Sequence, residues 1–199
     1  MRVMFWGTPE FAAPALRALV GEGFDVCAVV TRPDRPAGRD RVLTQPAIKQ
    51  IALKESLPVF QPESPREEEF QDLIRAVAPD LSVVVAYGHI LPRIVIDAPA
   101  LGTLNIHASL LPALRGASPI QSAIRQGLTE TGVTIMRMVP ALDAGPIILQ
   151  SRTPVADDET YGELQGRLSE LGALALIEAL TLIELGHTTE KPQDDSLAT

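Results

Sequence analysis

Short apolar blocks alternate along the chain with longer stretches in which apolar residues recur at helical spacing. Arg2 to Trp6 and Asp25 to Val30 are strand-like, and Phe11, Ala15, Leu16 and Leu19 between them fall at helical intervals. This predicts a βαβ opening, with Gly7-Thr8-Pro9 as the turn, Thr8 as a helix cap and Pro9 at the first helical position. Pro14 would remove a backbone hydrogen bond from a helix interior, so the regular helix should begin later than that cap. Residues 31–46 hold three prolines and a glycine among charges of both signs and read as an exposed, mobile loop. A helix over about 46–55, a strand around Val59 and a helix over about 65–77 follow. Leu81 to Ala86 is a nearly continuous apolar run of the kind buried on both faces of a parallel sheet. Beyond it come a helical turn over 92–96, a strand over 103–106, a short helix over 118–125, and two alternating strands, 133–138 and 147–155, read as an antiparallel pair. Thr160 and Glu163 have the spacing of a capping box, and Tyr161, Leu164, Leu168, Leu171, Leu174 and Ile177 continue at helical intervals until Gly186, after which the tail is polar.

The order of elements is that of an α/β doubly wound fold: a mostly parallel sheet with helices on both faces, in a single domain. In such folds ligands sit beyond the carboxyl ends of the strands. A length of 199 residues with 46% hydrophobic and 21% charged residues suits one globular domain. The single cysteine, Cys27, excludes a disulfide framework and a thiolate metal site, suits a reducing compartment and, inside an apolar strand, reads as core. No apolar run reaches the roughly 18 residues of a membrane span, and the amino terminus reads as a strand rather than a leader, so the expected location is cytoplasmic. The net charge of −8 argues against general nucleic-acid binding. Residues 31–50 are the local exception, with Arg32, Arg35, Arg39, Arg41 and Lys49 against Asp34 and Asp40.

Chemistry is best placed at Asn105-Ile106-His107. Residues two apart on a strand face the same way, so an amide donor and an imidazole converge at a strand end, as the stabilisation of an acyl-transfer oxyanion requires. The same pair could equally satisfy loop backbone groups. Asp143, in Leu142-Asp143-Ala144-Gly145, could orient the imidazole and relay a proton, or could simply build an Asx turn. His89 and His187 read as loop and helix-end residues, and Ser109 lacks the Gly-x-Ser-x-Gly context of a nucleophile. Gly7-Thr8-Pro9 is not a dinucleotide fingerprint, and there is no phosphate loop.

Six motifs taken together are more specific: Phe5 to Ala12, Arg32 to Arg39, Ala86 to Pro92, Asn105 to Pro112, Arg115 to Ile120 and Leu142 to Gly145. In this order they resemble the methionyl-tRNA formyltransferase family, the tRNA-directed branch of the folate-dependent formyltransferases. The resemblance implies a Rossmann-like fold and transfer of the formyl group of 10-formyltetrahydrofolate to the α-amine of initiator methionyl-tRNA, without a metal. It implies that Asn105 and His107 stabilise the tetrahedral oxyanion, while Asp143 holds His107 charged and assists proton removal. Tyr87, Gly88, Ile90, Leu91 and Pro92, with Ser109, Leu110, Leu111, Pro112, Val139 and Leu142, would shape the folate pocket. Arg35, Arg39 and Arg41 would meet the acceptor end of the tRNA.

Leu114, Ala141 and Ala144 depart from the Trp, Gly and Thr usual in that family. Family members also continue into a C-terminal β-barrel that this sequence does not contain. The expected organisation is therefore a catalytic domain over 1–189 and the start of an interdomain linker over 190–199, with folate binding kept and tRNA binding weakened. Rival readings are an amino-sugar N-formyltransferase, a formyltetrahydrofolate hydrolase, or a non-catalytic α/β nucleotide-binding module. The arginine-rich segment disfavours the first two, and His107→Ala separates enzyme from module.

Overall fold

A computed structural model describes residues 1–38 and 41–199, Ala37 by its backbone alone. Contacts gather into two units, Met1–Thr103 and Leu104–Thr199, which are taken in turn.

The first unit is built on four parallel strands: β1 (Arg2–Gly7), β2 (Asp25–Val30), β5 (Val59–Phe60) and β6 (Leu81–Val85), in the order β5-β2-β1-β6. The helices α1 (Ala13–Gly21), α2 (Ala47–Lys54), α3 (Glu68–Val77) and α4 (Arg93–Ile96) accompany them. Strand order runs outward from β1 through β2 to β5 and then returns to the other side of β1. Right-handed crossovers therefore put α1 and α2 on one face and α3 on the other. Val3 to Trp6 and all of β6 are buried at successive positions, which requires both faces to be covered. Trp6 is the centre of this core, donating from its indole nitrogen to Ser82 Oγ (3.2 Å) and meeting Phe70 and Tyr87 edge-on.

Several local expectations change here. Thr8 caps nothing, because its hydroxyl donates to Tyr87 O (2.9 Å). A 3-10 turn, Glu10–Ala12, precedes α1, so the helix does start late, with Pro14 in its first turn where no amide donor is needed. Helix α3 begins at Glu68 rather than Pro65, since Ser64 N donates to Glu67 Oε1 and Ser64 Oγ accepts from Arg66 N, which ties the preceding residues into a turn. The segment read as a loop contains an antiparallel hairpin, β3 (Arg35–Ala37) and β4 (Val42–Thr44), with Arg35 opposite Thr44. Gly38 (φ 73°) and Arg41 (φ 50°) supply its left-handed backbone. Pro36 is tolerated because a two-stranded ribbon has edges that need no donor. Cys27 is half-buried rather than core, donates to Val3 O (3.4 Å), and has its thiol pKa raised by burial.

The second unit holds an antiparallel meander of β7 (Thr103–His107, entered from the first unit), β8 (Glu130–Arg137) and β9 (Ile147–Pro154), with α5 (Pro119–Arg125) and α6 (Tyr161–Glu184). The capping box is present: Thr160 Oγ1 accepts from Glu163 N while the Glu163 carboxylate accepts from Thr160 N. The buried stripe of α6 runs through Leu164, Leu168, Gly172, Ala175, Leu176 and Ala179, whereas Tyr161 and Leu174 face solvent. Small residues let this helix lie close on β8 and β9, a seam that a search for large apolar side chains passes over. The polar tail is docked: Lys191 bridges Ile147, and a 3-10 turn spans Asp195–Leu197.

Candidate active site

Within the second unit the loops after β7 and β8 converge. Asn105 and His107 share one face of β7, opposite Met136 and Thr134 of β8. His107 Nε2 donates to Leu114 O (2.9 Å), since a carbonyl can only accept. Its Nδ1 lies 3.6 Å from Asp143 Oδ2, and both side chains are mostly buried, 7% and 13% exposed. The same Asp143 oxygen accepts from Gly116 N (2.8 Å). Asp143 adopts a left-handed backbone (φ 48°), which Asp tolerates better than most residues. Gly145 follows because a Cβ there would collide with Arg137 O. The turn and the charge are thus one device: the conformation that makes Asp143 a turn residue also aims its carboxylate at the imidazole. The Asn105 amide has no partner among the described residues and is free to donate.

Ser109 to Pro112 forms the wall beside this pair, with a cis peptide between Leu111 and Pro112. Ser109 is buried and donates to Ala113 O (2.6 Å), so its hydroxyl is structural. Thr134 Oγ1 donates to Ser109 O (2.7 Å) and accepts from Leu111 N (3.1 Å), and Gln150 Nε2 donates to Leu111 O (2.9 Å). Thr134 and Gln150 therefore pin the wall to β8 and β9. Neither was a candidate, because one polar residue in an alternating strand carries no signal of its own. Leu110 and Pro112 are half-buried and Leu111 is buried; Val139 is half-buried and Leu142 exposed.

In the first unit, Tyr87 to Pro92 follows β6. Tyr87 is 2% exposed and Leu91 is buried, Pro92 is half-buried, while Ile90 is 74% exposed. Gly88 has φ 87°, and the Arg32 side chain lies 3.4 Å from where its Cβ would be. Tyr87 Oη, His89 Nε2, Arg32 Nε and Thr31 Oγ1 are buried and have no partner among the described residues. Burial raises the Tyr87 phenol to about 12, opposed by the Arg32 guanidinium. His89 is shifted down by burial and then by Arg32 and Arg35, against the opposing charge of Glu63. Arg35 and Arg41 are exposed on the hairpin, and Arg39 lies outside the described residues. Among the described residues no group of three or more His, Cys, Asp or Glu is placed to hold a metal ion, and no helix is long and apolar enough to cross a membrane.

Residues 1–180 match the family described as formyl transferase. The chain belongs to the formyl transferase family. The match runs through both units, which together make one family domain. The methionyl-tRNA formyltransferase of Moorella thermoacetica is 50% identical over all 199 residues, and that of Methylococcus capsulatus 51%. The chain spans 64% and 65% of the length of these two formyl transferases. Among solved structures, glycinamide ribonucleotide transformylase 1 from Symbiobacterium toebii aligns with TM-score 0.79 at 21% identity, covering 98% of this chain and 94% of that one. A formyltetrahydrofolate deformylase from Pseudomonas syringae pv. tomato aligns with TM-score 0.76 at 21% identity, covering 97% and 66%. At such identities these proteins show the shared fold alone, the α/β doubly wound arrangement that the order of elements predicted and the Rossmann-like form that the resemblance implied.

Proposed function

We propose that the chain is the catalytic part of a methionyl-tRNA formyltransferase, moving the formyl group of 10-formyltetrahydrofolate to the α-amine of initiator methionyl-tRNA. The observation that carries the chemistry is the buried His107–Asp143 pair beside a free Asn105 amide, in a chain half identical to proteins of that name. The amine nitrogen attacks the formyl carbon, and the carbonyl electrons move onto oxygen. Asn105 donates to that oxygen. His107, with Nε2 donating to Leu114 O and Nδ1 3.6 Å from the Asp143 carboxylate, is assigned the same task of stabilising that oxygen. Asp143 takes the proton released by the nitrogen, directly or through water. As the bond to N10 breaks, a proton returns to N10 and tetrahydrofolate leaves.

Donor-binding roles fall to Tyr87, Gly88, Ile90, Leu91 and Pro92 in the first unit and to Ser109 to Pro112, Val139 and Leu142 in the second. Unsatisfied buried polar atoms at Tyr87 and His89 next to exposed Ile90 suit a flat heterocycle with a polar edge. Arg35, Arg39 and Arg41 are assigned to the tRNA acceptor end, residues 1–189 to the catalytic domain, and 190–199 to the start of the link towards the remaining length of the relatives.

Calorimetric titration with 5-formyltetrahydrofolate, an unreactive donor analogue, tests the first half of this reading and is expected to show saturable one-to-one binding. His107→Ala should lower formyl transfer to methionyl-tRNA by about 10²–10⁴-fold and Asn105→Ala by about 10²–10³-fold. Transfer that survives His107→Ala, or that favours an amino-sugar nucleotide over methionyl-tRNA, would sink the assignment.

A further inference from the structure

Residues 190–199 lie beyond the family match over 1–180 and form a strap across the loops that hold the His107–Asp143 pair. Gln193 is half-buried in a stretch whose other residues are mostly exposed. Its side-chain amide donates to Asp143 O (2.8 Å) and to Gly145 O (2.7 Å), so one NH₂ group closes both carbonyls of the turn on which Asp143 stands. Its oxygen accepts from Arg115 Nε (3.1 Å) and Nη2 (2.8 Å), and Arg115 Nη2 also donates to Asp195 Oδ1 (2.7 Å). Thr199 completes the crossing, accepting from Leu114 N at its hydroxyl and from Arg115 N at its carbonyl, each at 2.9 Å.

These contacts converge on the pair from both sides. Leu114 O accepts a hydrogen bond from His107 Nε2, Gly116 N donates to Asp143 Oδ2, and Arg115 lies between those two residues. The 113–116 loop, which faces the imidazole, and the 143–145 turn, which carries the carboxylate, are joined through Gln193 by four hydrogen bonds. An amide is the side chain that fits: it offers two donors to two carbonyls and an acceptor to a guanidinium. Glu at the same place would accept from Arg115 but set a carboxylate oxygen against both carbonyls.

We propose that Gln193, acting with Arg115, is a positioning residue for formyl transfer, holding the two site loops at the separation that keeps Asp143 against His107. The inference rests on the reading of that pair as catalytic and adds a residue outside the matched family region. The Gln193 bridge between the two loops, and not the strap's ion pair to Arg137, is then a condition for turnover.

The test uses the full chain with three variants. Gln193→Met keeps the side-chain length and removes every polar contact, Gln193→Glu keeps the Arg115 contact alone, and Glu190→Ala cuts the strap's ion pair to Arg137 (2.6 Å) without touching either site loop. Both Gln193 variants should lower kcat at least tenfold with KM for the formyl donor within twofold of the parent, while Glu190→Ala keeps the parent kcat. Hydrogen exchange at the Gly116 amide should quicken at least tenfold in the Gln193 variants, with the β7–β8 amides unchanged. Parent activity with unchanged kcat and unchanged Gly116 exchange in both variants overturns the proposal. A parent chain that transfers no formyl group, with Gly116 exchange still dependent on Gln193, overturns the catalytic reading and leaves the strap as a structural clamp. If Gln193→Met fails to fold, Gln193→Glu decides by the same two readouts, and exchange lost uniformly across β7 and β8 counts against a positioning role.

Discussion

Asp143 serves two partners with one carboxylate oxygen, the Gly116 amide and the His107 imidazole. An amide side chain can still accept from Gly116 but carries no charge. Asp143→Asn should therefore leave the melting temperature within a few degrees of the parent while formyl transfer falls by about 10²–10⁴-fold, a separation that paired melting and rate measurements would show. Tyr87 poses the opposite case, a buried phenol with no hydrogen-bond partner among the described residues. Its neutral form is favoured in the folded state up to about 12 against an ordinary 10.0, so its contribution is complete below about pH 10 and is lost as pH rises towards 12. Unfolding free energies from urea titrations over that window should fall with a slope of up to about 1.4 kcal/mol per pH unit, and Tyr87→Phe should flatten it. The Asn-x-His pair was legible because strand alternation aims both side chains, and Asp143 because a glycine two residues on marks a tight turn. Thr134, Gln150 and Gln193 were not, since their importance lies in which backbone groups they meet across 23 to 50 positions of sequence.

The elements most faithfully written in the sequence are those with one strong physical cause. The β6 run is apolar at nearly every position because both faces are covered, and α6 announces its start by a capping box. The sequence predicts a loop where the hairpin lies because three prolines and a glycine in residues 31–46 outweigh the short Val42-Leu43-Thr44 run, and β4 buries nothing that would sharpen its alternation. That exposure also bears on function. Val42 and Leu43, 63% and 67% exposed, stand beside Arg41 on a narrow ribbon, a form suited to reaching a nucleic-acid end. Replacing Arg35 and Arg41 together by Ala should weaken methionyl-tRNA binding and reduce the slope of log affinity against log salt by about 1.4 to 1.8, while binding of 5-formyltetrahydrofolate stays within twofold.

For the molecule as a whole, the parallel strands up to Val85 and the antiparallel β8–β9 pair were visible in the pattern, whereas the antiparallel pairing of β7 with β8 was not, and the change of direction is where the two contact units divide. That division itself was not legible, because periodicity reports how each strand is covered and not how contacts cluster. The net charge of −8 opposes association with a polyanion, and the positive segment is confined to residues 31–50. With 64% of a relative's length present, the chain should bind the folate analogue fully and methionyl-tRNA more weakly than a complete relative does. Equal tRNA affinities in a side-by-side filter-binding assay would show that the remaining third adds nothing to the grip.

Trp6 is the only tryptophan of the chain, wholly buried, with its ring centroid 5.3 Å from that of Tyr87. The protein thereby contains its own optical probe. Emission from the folded chain should lie at short wavelength, respond when a ligand meets the Tyr87 phenol, and move to the red only when the β1 core opens. Light reports on the first unit and deuterium uptake at Gly116 on the second, so ligand capture at Tyr87 and assembly of the His107–Asp143 site can be timed separately in one unlabelled sample.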